Sequence, residues 1–406
     1  MSFKNYLPET FIERPDYIKK AEPFIGKDIV KVFTGQRRVG KTYLLFQMMD
    51  FIHKKNKKAN IVFVGKELPE FSQIINDSDL LEYVKPLLKS KDNFLFIDEV
   101  QEILSFEKAL RSLLAERKWD LWCTGSNAEL LSQDIVGLMS GRTIEISVHG
   151  LCYAEFQKFH NYPDNDQTVG LYMRYGGLPY LINLELNDNI VFDYLKNIYS
   201  TILYKDVVSR EGIRNTHFLD KLVLFLADNT GSIVSAKKIS DFLKSQRINI
   251  PSIRVLEYLK YLENAFFLIR TRRADLKGKR ILEIGDKFYF EDLGLRNSIL
   301  GFKREDIGKL IENVILLHMR QQGFAVYTGE QGDKEIDFVC DKNQQRIYIQ
   351  AAYLLENEKT IQREFGNLLS IKDNFPKYVV TMDPIKFDNE KGIYHLQLRE
   401  FLMTSF

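Results

Sequence analysis

The chain has 406 residues, 45% hydrophobic and 28% charged, with a net charge of only +2. That length holds roughly two to four domains, and the composition is that of ordinary globular protein. Three scattered cysteines (Cys123, Cys152, Cys340) argue against a disulfide framework or cysteine-bound metal, and no apolar run nears the ~20 residues of a membrane helix, so a cytoplasmic protein with no membrane partner is expected.

In residues 1–148, short apolar runs alternate with helical patterns. The runs are Ile29–Phe33, Ile61–Val64, Phe94–Ile97, Leu121–Thr124 and Thr143–Val148. Continuous apolar runs suit buried parallel strands, and the helices between them predict a doubly wound α/β sheet. Directly after the first run, Gly35-Gln36-Arg37-Arg38-Val39-Gly40-Lys41-Thr42 satisfies G-x-x-x-x-G-K-[ST]. The glycines permit a tight turn whose backbone N–H groups face phosphate, aided by the N-terminal end of the following helix. Lys41 is expected to reach the β- and γ-phosphates of ATP, and the Thr42 hydroxyl to ligate Mg²⁺.

The third run ends in Asp98-Glu99. A buried strand that delivers an acid at its C-terminal end suits a magnesium site, with Asp98 at the metal and Glu99 as general base toward water. The fourth run ends in Gly125-Ser126-Asn127, so Asn127 or Ser126 is a candidate to position that water. Arg142, just before the fifth run, is a candidate to stabilise γ-phosphate charge, and Arg174 a further one.

From about Gly150 the pattern becomes helical. Residues 217–264 read as three helices, Phe218–Asp228, Ala236–Ser245 and Ser252–Glu263. Two alternating strands follow, Phe267–Thr271 and Arg280–Ile284, around Lys277-Gly278-Lys279. Three helices and then a hairpin is winged-helix order. Residues 215–300 hold fifteen basic against ten acidic residues, a net +5. Arg254 and Lys260 on the third helix, with Arg270, Arg272, Arg273, Lys277, Lys279 and Arg280 on the hairpin, are candidate DNA-phosphate contacts. A protein-contact role is the alternative. The last hundred residues give one helix, Ile307–Gln322, and strands near Ala325–Thr328, Ile336–Cys340, Arg346–Ala351 and Tyr378–Thr381.

The P-loop, Phe96-Ile97-Asp98-Glu99-Val100-Gln101, Thr124-Gly125-Ser126-Asn127 and Gly141-Arg142 together resemble a family of bacterial and archaeal AAA+-like predicted ATPases with a C-terminal domain of unknown function. Tyr175-Gly176-Gly177-Leu178-Pro179, Leu203-Tyr204-Lys205-Asp206 and Tyr289-Phe290-Glu291-Asp292-Leu293-Gly294-Leu295-Arg296 extend the likeness over nearly the whole chain. The resemblance implies an α/β P-loop core (1–148), a helical lid (149–214), a winged helix (215–300) and an α/β nuclease-like domain (301–406). The tail resembles the PD-(D/E)XK nuclease fold, with Glu312 and Asp337 at the positions of two metal-binding acids. Gln350 and Ala352 stand where that fold requires Glu and Lys, so metal-assisted water attack is not expected there. The expectation is a Mg²⁺-dependent ATPase, a switch or motor coupled to DNA or protein. An ATP-gated nuclease and an ATP-binding module without turnover are the alternatives.

Overall fold

The computed structural model describes residues 3–128, 141–213, 216–276, 280–281, 285–332, 334–355, 357–384 and 391–406. The chain divides into two compact units, residues 1–149 with 264–266, and residues 150–263 with 267–406.

In the first unit α1 (Pro15–Ala21) precedes β1 (Val30–Thr34), and α2 (Lys41–Lys55) and β2 (Asn60–Gly65) follow. The chain continues through α3 (Asp77–Val84), β3 (Asn93–Asp98), α4 (Phe106–Glu116), β4 (Asp120–Gly125) and β5 (Thr143–Ser147). The five strands form one parallel sheet in the order β2-β3-β4-β1-β5. Every residue of β1, β3 and β4 is buried, which is why these strands read as unbroken apolar runs rather than alternating ones. Trp122 stacks against Phe33 and Phe96, with centroids 6.1 and 5.9 Å away. A polar pair interrupts this core: the Lys31 ammonium donates to Asp120 Oδ1 at 2.6 Å and to the Lys27 carbonyl at 2.6 Å. Burial lowers the lysine pKa and raises that of Asp120. Both therefore carry a desolvation cost that their mutual contact offsets.

The second unit opens with α5 (Tyr153–His160), α6 (Asp166–Tyr175) and α7 (Asp188–Thr201), which runs into a π-helical stretch, Ile202–Ser209. Three helices follow, α8 (Thr216–Asp228), α9 (Ala236–Ser245) and α10 (Ser252–Asn264), with the short strand β6 (Ile233–Val234) after the first of them. Beyond α10 come β7 (Leu268–Thr271), β8 (Arg273–Asp275), β9 (Arg280–Ile281) and β10 (Asp286–Phe290). The expected hairpin between the first two runs is not what forms. β7 pairs with β10, which also pairs with β6, while β9 pairs with β8. The break falls at Arg272, where the chain passes from one sheet to the other.

After α11 (Leu293–Leu300) and α12 (Ile307–Gln321) come β11 (Ala325–Gln331), β12 (Lys334–Lys342) and β13 (Gln345–Ala351). The chain closes with α13 (Glu358–Leu369), β14 (Lys377–Thr381), β15 (Ile393–Gln397) and α14 (Leu398–Met403). The mixed sheet runs β15-β14-β13-β12-β11-β8-β9. Leu310, Ile311, Val314 and Ile315 of α12 share a core with Phe338, Ile347 and Ile349 of the sheet. Two of the segments that look familial beyond the P-loop, 175–179 and 289–296, meet each other here. Asp292 Oδ2 accepts the Gly177 N–H at 2.7 Å, and a Cβ at Gly294 would lie 1.9 Å from the Tyr175 carbonyl oxygen. Among the described residues no helix is long and apolar enough to cross a membrane.

One ionic knot ties this unit together. The Lys287 ammonium, from β10, lies 2.8 Å from Glu335 Oε1, 3.4 Å from Glu312 Oε2 and 4.0 Å from Asp337 Oδ1. Tyr289 donates to the same Glu312 oxygen at 2.9 Å. Burial pushes Glu312 and Asp337 upward, and the ammonium pulls both back. Lys287→Met should therefore cost about 3–5 kcal/mol by stranding buried carboxylates. Acids with raised folded pKa values stabilise the fold at low pH and lose that contribution as pH rises through them. The deficit of Lys287→Met against wild type should accordingly be larger at pH 8 than at pH 5.5 in urea unfolding monitored by circular dichroism.

Candidate active site

β1 lies between β4 and β5, and the loop from Gly35 to Gly40 leaves its C-terminal end to start α2. Ligand crevices of open α/β sheets form at such carboxyl ends. Gly35 has φ 150°, and a Cβ there would lie 2.1 Å from the Val148 carbonyl oxygen, so no side chain fits. Gly40, at φ 93°, and Arg38, at φ 72°, also take the left-handed conformation that folds the loop back on itself. The Gly40 carbonyl then accepts the Leu44 N–H at 3.0 Å, the first turn of α2.

Lys41 is only 4% exposed and curls back over the loop, donating to the carbonyls of Gly35 at 2.9 Å and Gln36 at 3.0 Å. Thr42 Oγ1 donates to Asp98, 2.9 Å from Oδ2 and 3.1 Å from Oδ1. The fourth run adds Thr124, whose hydroxyl donates to Asp98 Oδ1 at 2.6 Å and accepts the Glu99 N–H at 2.8 Å. Glu99 itself is left-handed (φ 52°), which turns its side chain off the end of β3. Its Oε2 accepts from Ser126 Oγ at 3.0 Å and from Gln101 Nε2, and its Oε1 lies 3.9 Å from the Lys41 ammonium.

The two adjacent acids are driven apart electrostatically. Burial and the neighbouring Glu99 charge push Asp98 up to about 6, against its hydroxyl partners and Lys41. Burial also pushes Glu99 up, but Lys41, Gln101, Arg37 and Ser126 outweigh it and hold Glu99 below the usual carboxylate range. One carboxylate thus stays ionised at neutral pH while its neighbour is poised to gain from any added cation.

The residues fit a nucleotide with magnesium. Gln36, fully buried in the loop, has neither its amide nitrogen nor its amide oxygen hydrogen-bonded to a described residue. Among the described residues no group of three His, Cys, Asp or Glu side chains could cage a metal. A hydroxyl and one carboxylate, Thr42 and Asp98, suit magnesium, which completes its shell with phosphate oxygens and water.

Of the other candidates, Asn127 is buried two residues beyond β4, at the same end of the sheet. Arg142 is a correction. Its carbonyl accepts the Val30 N–H at 2.9 Å, and β5 runs parallel to β1. It therefore sits at the sheet edge opposite the P-loop, about 16 Å away along the strand at ~3.3 Å per residue. Arg174 lies in the second unit and donates to Asp188 at 2.7 Å. Arg37 reaches Glu67 at 3.4 Å, and Glu67 did not stand out in the sequence. Thr124 and Gln101 stood there only as parts of familial segments, and their contacts with Asp98 and Glu99 show in the fold.

The second candidate centre does not fit a metal. Glu312 and Asp337 do converge, but on Lys287. Gln350 Oε1 accepts the Asp337 N–H at 3.2 Å, and Asp337 Oδ2 accepts the Ala351 N–H at 2.8 Å, so the groups that would bind metal are engaged with backbone. Three of the eight basic candidates are engaged in ion pairs. Arg254 pairs with Glu257, Arg270 with Asp286 and Arg273 with Glu330. Lys260 and Arg272 are exposed, while Lys277, Lys279 and the Arg280 side chain lie outside the described residues.

Comparison with known proteins agrees with the first site. Residues 27–157 match the family model of an AAA domain, and residues 167–306 match that of a domain of unknown function (DUF8612). An uncharacterized protein of Haemophilus influenzae is 32% identical over 92% of this chain and 94% of its own. An uncharacterized protein of Methanocaldococcus jannaschii is 29% identical over 88% of this chain and 83% of its own. Among solved structures, a Walker-type ATPase of Pyrococcus abyssi aligns with a TM-score of 0.49 and 16% identity, over 72% of this chain and 97% of that one. At 32% identity over nearly the whole length of both chains, the chain belongs to the family of the Haemophilus influenzae protein, and it carries an AAA domain in its first unit.

Proposed function

We propose that the first unit binds ATP with Mg²⁺ and hydrolyses it, and that the second unit couples this cycle to DNA or to a protein partner. The observation that carries the reading is the pairing of two differently poised acids with one lysine: Asp98 on the Thr42 hydroxyl, Glu99 ionised 3.9 Å from Lys41. In this reading Gly35 to Thr42 cradle the phosphates, and Thr42 and Asp98 hold Mg²⁺, which would supply charge neutralisation at the β- and γ-oxygens. Lys41 exchanges its loop carbonyls for phosphate oxygen. Glu99 accepts a proton from the attacking water, with Asn127 and Ser126 beside it to orient that water.

Lys41→Ala should abolish ATP binding in calorimetry. Glu99→Gln should keep binding within a few-fold and lower phosphate release by about 10²–10⁴-fold, the usual contribution of a general base. Equal turnover in wild type and Glu99→Gln would remove the base assignment. Tight binding without phosphate release in wild type would favour the module that binds ATP without turnover.

For the second unit, α8 to α10 followed by the β6-β10-β7 sheet support a winged-helix reading of residues 215–300. The seven-stranded sheet with α12 packed on it is compatible with a nuclease-like fold in residues 301–406, without nuclease chemistry. DNA cleavage that disappears in Asp337→Ala would restore the ATP-gated nuclease. Three of the eight candidate residues are paired with acids, so DNA contact without opening those pairs would rest on at most the other five. Log affinity should then fall against log salt with a slope no steeper than about −4.5, as five phosphate contacts give. A slope near −7 would mean that the ion pairs open on DNA, and salt-independent partner binding would favour protein.

A further inference from the structure

Arg14, in the segment before α1, is 4% exposed although it carries a full charge. Its Nη1 donates to two backbone carbonyls at once, that of Val39 inside the P-loop at 3.2 Å and that of His149 at 3.1 Å. The guanidinium carbon sits 4.5 Å from the Tyr17 ring centroid, and the Tyr17 hydroxyl accepts the His149 N–H at 3.1 Å. The backbone around Arg14 is fixed as well. Gln47, from the second turn of α2, accepts the Arg14 N–H at 3.0 Å and donates to the Ile12 carbonyl at 3.2 Å. Nothing local in the sequence requires an arginine here: an exposed lysine or a small polar residue would serve a surface segment.

Burying a guanidinium costs several kcal/mol, and its donation to the Val39 carbonyl bears directly on how a P-loop peptide is turned. The Val39 C=O and the Gly40 N–H belong to the same planar trans peptide and point in opposite directions. Holding the carbonyl on the Arg14 side turns the Gly40 N–H to the other face of the loop. Gly40, at φ 93°, has no Cβ to resist rotation of that peptide, so an external anchor is needed to keep one orientation.

We propose that Arg14 is a positioning residue for the triphosphate. It pins the Val39–Gly40 peptide so that the Gly40 N–H faces the phosphate. Through the shared Nη1 it also ties the P-loop to His149, the residue from which the chain leaves the first unit. The inference rests on the ATP-binding reading of the loop. It is distinct from direct contact with nucleotide, because Arg14 acts through a backbone amide.

The test is calorimetric binding of MgATP and of inorganic tripolyphosphate to the full chain. Wild type is compared with Arg14→Ala, Arg14→Lys and Tyr17→Phe, the last keeping the ring but losing the hydroxyl. Arg14→Ala should weaken both ligands by the same factor, about 10–100-fold, as expected for a charge-assisted hydrogen bond lost from a preorganised donor. Arg14→Lys, which offers one ammonium to the same carbonyls, should recover part of that loss. Tyr17→Phe should stay within about two-fold of wild type, since the ring that packs on the guanidinium remains. In steady-state kinetics the loss should appear mainly in KM rather than kcat. Arg14→Ala binding tripolyphosphate as well as wild type overturns the proposal, as does a Tyr17→Phe loss equal to that of Arg14→Ala. If Arg14→Ala does not fold, Arg14→Lys decides: unchanged affinity for both ligands overturns the proposal. Wild type that binds neither ligand overturns the ATP-binding reading and this inference with it, and that result is read in the wild-type arm alone.

Discussion

Two neighbouring carboxylates are held out of water beside one ammonium, and the first unit is arranged around keeping them different. Asp98 and Glu99 follow each other in the chain, yet β3 delivers one into a pair of hydroxyls and the left-handed turn at Glu99 swings the other toward Lys41. Had both continued the strand, alternation would have sent them to opposite faces of the sheet. The turn at Glu99 costs on the order of 1 kcal/mol for a residue with a Cβ, and the Thr124 hydroxyl that accepts its N–H helps hold it. Asp98 and Thr124 come from the ends of two adjacent parallel strands, and Thr42 from the helix that follows a third, so the three are neighbours only after folding.

Much of this was legible from the sequence for physical reasons. A phosphate loop is local: its glycines, lysine and threonine act within eight consecutive residues, and the buried run before Asp98 marks a strand end. What was not legible depended on which end of the sheet a residue reaches. Arg142 precedes an apolar run just as Thr34 follows one, but parallel pairing of β5 with β1 sends the two to opposite edges. Arg14 and Gln47 escaped notice because their partners are backbone atoms, which leave no trace in residue type. The run at 280–284 suggested a hairpin with 267–271, whereas the strand that pairs with β7 is 286–290, where Tyr289 and Phe290 had been seen only as part of a familial segment.

Charge counting misled in a related way. The +5 of residues 215–300 is real, but a sum along the chain says nothing about pairing across it. Arg270 meets Asp286, an acid already within that sum, whereas Arg273 meets Glu330 from outside it. Lys287, counted as one more basic residue, is 4% exposed at its side chain and contributes nothing to an external field that its three acids do not cancel. A surface potential is a property of the folded arrangement, and here several of the acids that matter come from outside the basic segment.

The two buried lysines make the same point from opposite sides. Lys41 donates to neutral carbonyls of its own loop, and Glu99 Oε1 lies 3.9 Å from its ammonium. A phosphate oxygen carries charge that a carbonyl does not, and charge-assisted hydrogen bonds are roughly twice as strong as neutral ones. Exchange of those carbonyls for phosphate would therefore be downhill. Lys287 faces Glu335, Glu312 and Asp337 and could be drawn away only by leaving three clustered carboxylates, Asp337 the most buried of them, without their cation. Both ammoniums are buried and both are satisfied, but the charge of their partners leaves the first able to change partners and makes the second a rivet. The same contrast explains why the acids at the C-terminal centre, though they converge, leave no vacancy for a divalent cation: the position is filled by a cation that belongs to the chain.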